Sequence, residues 1–100
     1  MILVIIRMKV LAEKRKELSQ TIVSLVDSLR KEEGCRRCDF CQSMEDENEF
    51  SIFEEWDTRG ELNRHFKSER FRVLRGAMNL LRQPCEMTVH TISAGKKKTE

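Results

Sequence analysis

Three residues that could do chemistry converge near the middle of the chain. Glu54 and Trp56 close the stretch Phe-Ser-Ile-Phe-Glu-Glu-Trp, and His65 stands in the element that follows. A titratable ring, an indole and a carboxylate beside apolar walls can bind an aromatic and move a proton. In a strand, alternate residues share a face, so Ile52, Glu54 and Trp56 lie together while Phe53 and Glu55 lie opposite. Thr58, followed three residues later by Glu61, is a capping box that starts a helix near Arg59. Leu62, His65 and Phe66 then fall on one apolar side at i, i+3 and i+4. That side faces the core and points His65 toward the Trp56 end of the strand. His65 is read either as a base or hydrogen-bond partner for a substrate hydroxyl, or as a packed core histidine. Burial would favour its neutral ring, and its place near a helix C-terminus the charged one. Trp56 either stacks on an aromatic ligand or packs in the core. Glu54, turned to the core, needs a partner. Arg7, on the first strand, is the candidate, either as an ion pair holding the sheet or as a group orienting a ligand. Phe40, Phe66 and Phe71 are core residues that can also wall a pocket.

The cysteines invite a different chemistry. Cys35, Cys38 and Cys41 give C-x2-C-x2-C, the start of an iron–sulfur run. The fourth ligand is missing, because Glu45 stands where cysteine would continue the run. In a regular strand Cys35 and Cys41 face one way and Cys38 the other, with about 10 Å or more between them. No metal centre is therefore expected, and Cys85 beside Pro84 is a weak substitute ligand. Small soft residues at a covered surface, or thiols open to redox change, are the remaining readings. The acidic run from Glu45 to Glu49 lacks the glycine of a calcium loop and reads as a solvated turn.

These residues must be positioned by a small set of elements. Met1 to Val10 is a strand with two apolar faces: Ile2, Val4, Ile6 and Met8 on one, Leu3 and Ile5 on the other. From about Glu13 to Glu33 the period is helical, with Leu18, Ile22, Leu25, Val26 and Leu29 in one stripe and Gly34 as the stop. Cys35 to Ser43 is a charged edge strand. The Phe50 to Trp56 strand and the short helix follow. Ser68 caps the next helix, in which Phe71, Leu74, Met78 and Leu81 form the buried stripe. Pro84 ends the helical region, and Cys85 to Ser93 is a fourth strand with Met87 and Val89 on one face. The order is β-α-β-β-α-β, a ferredoxin-like α+β fold with an antiparallel sheet. Residues 1–94 form one domain, and the tail 95–100 is basic and expected to be disordered.

Helices cover only one face of such a sheet. The other face, carrying Leu3, Ile5 and Phe53, predicts an identical subunit packed sheet to sheet, a homodimer. With a net charge of +2 over 100 residues, neither nucleic acid nor anionic membrane is an expected partner. No stretch reaches the roughly 18 apolar residues of a membrane helix. The opening Met1 to Ile6 is cut by Arg7 and Lys9 and has no small-residue cleavage site, so it does not read as a signal peptide. A cytoplasmic location with reduced thiols is expected.

Four features together resemble a family. They are the two-faced first strand, Lys31-Glu32-Glu33-Gly34-Cys35, Glu54-Glu55-Trp56, and Leu62-x-x-His65-x-x-Ser68-x-x-Phe71. They are similar to the small antibiotic biosynthesis monooxygenase domains, dimeric α+β barrels that include quinol monooxygenases. The resemblance spans about the first 90 residues. It implies a homodimer whose two sheets form a shared barrel, with a pocket between sheet and helices in each protomer. It also implies oxidation by O2 of an electron-rich aromatic, a quinol or anthrone, with no cofactor. An ionised phenol can give an electron to O2 directly, so the protein need only bind, deprotonate and shield it. A non-catalytic barrel that binds a small ligand or serves a stress response is the alternative. Haem-degrading relatives of this fold carry a ligating histidine after the Ser-x-x-Phe step. Here that stretch is Arg72-Val73-Leu74-Arg75-Gly76, which argues against haem as substrate. His90 is expected on the surface.

Overall fold

The computed structural model describes residues 1–93. Strand β1 (Ile2–Lys9) leads through a 3-10 turn (Ala12–Lys14) into helix α1 (Arg15–Leu29). Strands β2 (Cys35–Gln42) and β3 (Glu49–Trp56) form a hairpin. Helices α2 (Arg59–Phe66) and α3 (Glu69–Ala77), a second 3-10 turn (Met78–Leu80) and strand β4 (Glu86–Thr91) follow. The sheet is antiparallel in the order β2-β3-β1-β4, so the two most apolar strands are central, as expected.

Alternation on β1 decides which residues make the core. Ile2, Val4, Ile6 and Met8 are buried with Leu18, Ile22, Val26 and Leu29 of α1. Phe50, Ile52, Glu54 and Trp56 occupy the same inner face of β3. On the outer face Leu3 and Ile5 are half-buried, and Ile5 pairs with Phe53 and Thr88 on its two sides. Among the described residues no helix covers that face.

Both helix starts are set by local chemistry. The Thr58 hydroxyl accepts from the Glu61 amide at 3.2 Å, and the Ser68 hydroxyl from the Phe71 amide at 3.2 Å. Gly34, at φ +85°, makes the turn out of α1, and its carbonyl accepts from the Asp57 amide at 2.9 Å. No side chain fits there, because a Cβ on Gly34 would lie 2.2 Å from Glu61 Oε2.

Three expectations are corrected. The second long helix is shorter than its stripe implied. α3 ends at Ala77, only Leu74 of the stripe is fully buried, and Leu81 forms an isolated bridge to Val10 instead. A bulge between Cys35 and Arg37 breaks the alternation of β2, so Cys35 and Cys38 both sit opposite inner-face residues, Trp56 and Glu54. Cys41, opposite Ser51, faces outward. Arg7 is also on the outer face, paired with Ser51 and Glu86, whereas Glu54 pairs with Val4 on the inner one. Arg7 therefore cannot be the partner of Glu54, because the period of two puts the two side chains on opposite sides of the sheet. The tail 95–100 lies outside the described residues.

Candidate functional site

The inner face of β3 delivers Glu54 and Trp56, and the last turn of α2 delivers His65. Two residues apart on one strand face, the indole and the carboxylate are near enough for their polar atoms to meet. Trp56 Nε1 donates to Glu54 Oε1 at 3.0 Å. The imidazole of His65 stacks on the indole, with ring centroids 4.5 Å apart and planes at 29°. Its Nε2 lies 3.4 Å from Glu54 Oε1. Phe71 meets the imidazole edge-on at 5.3 Å, and Phe66 packs on Phe71 at 5.0 Å, so both phenylalanines flank the histidine. The Arg75 guanidinium caps the Phe71 ring at 5.1 Å.

The partner that Glu54 requires is thus the histidine, together with the indole. The sequence missed a second carboxylate. Glu32 reaches in from the turn after α1 and lies 2.6 Å from His65 Nδ1. Arg70 Nη1 donates to the other oxygen of Glu32 at 3.4 Å. A clue was present in the Glu32-Glu33 pair at the C-terminal end of α1, where the helix dipole disfavours acidic side chains. Only the tertiary contact with α2 shows which of the two turns inward.

Burial sets the electrostatics. The side chains of His65 and Glu54 are 0% and 1% exposed. Desolvation pushes the Glu54 carboxyl above its usual range, against the opposing pull of His65 and the Trp56 hydrogen bond. Glu54 Oε2 and His65 Nε2 are both buried without a hydrogen-bond partner. Two orphaned polar atoms side by side are costly in a core. A cavity of about 440 Å³ opens alongside, between the turn after α1 and the α2–α3 corner. Trp56 and His65 form its floor, and Glu33, Arg64, Lys67 and Arg70 its rim.

Phe40 and Arg7 do not join this group. Phe40 packs edge-on against Phe50 at 5.1 Å and lines a different cavity beside the start of α1. Arg7 lines the outer face with Ile5, Thr88 and His90. Burial and the nearby Glu54 charge push the Cys35 thiol up to about 11 and the Cys38 thiol up to about 12. Such thiols are poor nucleophiles. Among the described residues no three His, Cys, Asp or Glu side chains are grouped to hold a metal ion.

A split β-α-β-β-α-β sheet with a polar cluster between its inner face and the helices defines a ferredoxin-like α+β domain with an internal site. Comparison with known proteins narrows the class. The antibiotic biosynthesis monooxygenase family matches residues 1–76, and the chain belongs to that family. An uncharacterized protein of Synechocystis is 28% identical over 86 residues, which is 85% of this chain and 58% of that protein. The chain thus spans little more than half the length of that relative. The crystal structure of a conserved protein from Methanosarcina mazei is 28% identical, covers 89% of each chain and superposes with a TM-score of 0.84. A Deinococcus radiodurans structure, 19% identical, covers 100% of both chains with a TM-score of 0.90 and shows the shared fold. Among the described residues no helix is long and apolar enough to cross a membrane.

Proposed function

We propose that this protein is a cofactor-independent monooxygenase that oxidises a quinol- or anthrone-like aromatic with O2, as a homodimer in the cytoplasm. The observation that carries this reading is the buried Nε2 of His65, without a hydrogen-bond partner and beside an equally orphaned oxygen of Glu54. A phenolic or enolic hydroxyl can donate to the first atom. The second, held in a carboxyl that burial keeps proton-loving, shares the proton that the ring takes up. Trp56 is the aromatic side chain that lines the cavity, while Phe71 and Phe66 pack behind His65 and hold its ring. The cavity volume is in the range of small-ligand sites. For an anthrone-like substrate the net change is a methylene plus O2 giving a carbonyl plus water. The substrate supplies the four electrons, and the protein supplies a base, a dry cavity and orientation. Family membership supports the monooxygenase class. The uncovered sheet face with Leu3, Ile5 and Phe53 supports the dimer.

The test is oxygen uptake with hydroquinones and anthrones after chelation of trace metal. Wild type, His65→Gln and heat-killed protein are run side by side, because quinols also oxidise unaided. Saturable uptake in wild type alone is expected. Uptake equal to the heat-killed control across the panel would overturn the catalytic reading. It would favour the second one, a ligand-binding barrel in which His65 and Glu54 are a structural pair. That reading draws on one observation: both polar atoms are sealed from solvent, so a ligand reaches them only when the layer above them moves. The mass in solution at micromolar concentration decides the dimer, and a single-chain mass would rule it out.

A further inference from the structure

We propose that Glu32 is a positioning residue of this site: it holds the Nδ1 proton of His65 and so turns the lone pair of Nε2 toward Glu54. The proposal rests on the reading of His65 as the base. It explains how a buried imidazole could act as one.

The geometry is specific. An imidazole carries one proton on one of two nitrogens when neutral, and the hydrogen bond at one nitrogen selects the tautomer at the other. A carboxylate only accepts, so the 2.6 Å contact of Glu32 Oε2 with Nδ1 places the proton on Nδ1. Glu54 Oε1 lies farther from the other nitrogen, at 3.4 Å, and already accepts from Trp56 Nε1. The shorter and less shared contact wins, which leaves Nε2 without a hydrogen. This is the same logic by which a carboxylate orients the histidine of a hydrolase triad.

Glu32 is also placed as a deliberate contact. Its neighbour Glu33 is 81% exposed, whereas Glu32 is 11% exposed. The backbone around it is pinned: the Glu32 amide donates to Leu29 O at 3.1 Å, and its carbonyl accepts from the Cys35 amide at 3.1 Å. A carboxylate turned inward at the C-terminal end of a helix is disfavoured by the helix dipole and by desolvation. Arg70 and the imidazole N–H are what offset this.

The test needs no substrate. The chain has two histidines, so ring nitrogen-15 spectra of His90→Gln report His65 alone. The expected neutral tautomer is protonated on Nδ1, with Nε2 bare. Glu32→Gln keeps an acceptor oxygen and should keep that tautomer. Glu32→Leu removes the acceptor, and the ring should switch to Nε2–H, donating to Glu54. A purely structural Glu32 would change the melting temperature in both variants without switching the tautomer. The proposal fails if His65 in the otherwise wild-type protein is already protonated on Nε2, or if folded Glu32→Leu keeps the Nδ1–H form. Should Glu32→Leu not fold, Glu32→Ala, which removes the same acceptor without adding an apolar branch, takes its place with the same two outcomes. If turnover of an aromatic is established, Glu32→Leu is expected to lower kcat by about 10²–10⁴-fold, the typical contribution of a general base, with Glu32→Gln recovering most of it. A tautomer that switches in a protein without oxygenase activity would uphold the positioning role and sink only the catalytic one.

Discussion

Replacing Gly34 by alanine should damage both the fold and the site, and the size of the effect follows from two separate strains. Gly34 sits at φ +85°, a left-handed conformation that costs a residue with a Cβ about 1–2 kcal/mol. The added Cβ would lie 2.2 Å from Glu61 Oε2, 2.3 Å from its Cδ and 2.7 Å from its Cβ. Swinging the Glu61 carboxylate away relieves the first two contacts but not the third, because that atom is fixed to the helix backbone. The first turn of α2 must then shift, at the roughly 1–3 kcal/mol typical of overpacking. The sum is about 2–5 kcal/mol, which at about 4–8 °C per kcal/mol for a domain near this size is a fall in Tm of about 10 °C or more. Gly76→Ala is the built-in control. Nothing lies within 4 Å of its added Cβ, and in the last turn of α3, one residue before Ala77, the exchange should leave stability unchanged or raise it by less than the mid-helix gain of about 0.5–1 kcal/mol. Thermal melts followed by far-UV circular dichroism, at one fixed protein concentration, read both. A Gly34→Ala melting point within about 3 °C of wild type, the shift of well under 1 kcal/mol, would refute the account of the turn.

Other outcomes follow from the buried site. Burial raises the Glu54 carboxyl in the folded state, so the fold holds that proton more tightly than the unfolded chain does. Stability is then fullest below the ordinary value of 4.5 and falls as pH rises from there toward the raised value. Glu54→Gln keeps an acceptor for Trp56 Nε1 and should remove that fall, melting with wild type at low pH and above it near neutrality. Parallel profiles would contradict the sign. His65→Ala leaves two carboxylates facing a hole and should destabilise by about 3–5 kcal/mol, read by urea titration; a loss below about 1 kcal/mol, the scale of a surface pair, would mean that the cluster is not coupled. With an alkylating reagent at neutral pH, exposed Cys41 should react first and Cys38, whose thiol burial pushes up to about 12, last. Mass-mapped equal rates in the native protein would refute that order.

Most of the frame was legible because it depends on local periodicity. The two apolar faces of β1, the stripe of α1, and the caps at Thr58 and Ser68 each state their element within a few residues, and the strand order follows from which strands are most apolar. The shared face of Glu54 and Trp56 was readable by the same rule. What could not be read depends on contacts between elements or on a break in the period. One extra residue at Arg36 reverses the facing of Cys35 relative to simple alternation. Arg7 looked like a partner for Glu54 only until the register put Val4 there. Glu32 is separated from His65 by a strand hairpin, and no pattern along the chain joins them.

The cluster shows why one histidine can be both core and site. Stacked on Trp56 and flanked by Phe66 and Phe71, His65 is packed as a structural residue would be. A core designed only for stability would put an apolar side chain opposite it, because two ionisable groups side by side at near-zero exposure are rarely worth their desolvation. Instead β3 carries a carboxylate there, with one oxygen tied to the indole and the other left unpaired. The predicted gain in stability of Glu54→Gln measures what the fold gives up at this position. If the same variant also loses ligand binding or oxygen uptake, that sacrifice has a functional return. If it gains stability and loses nothing, the pair is a structural compromise, and the site must be sought along the rim of the cavity instead.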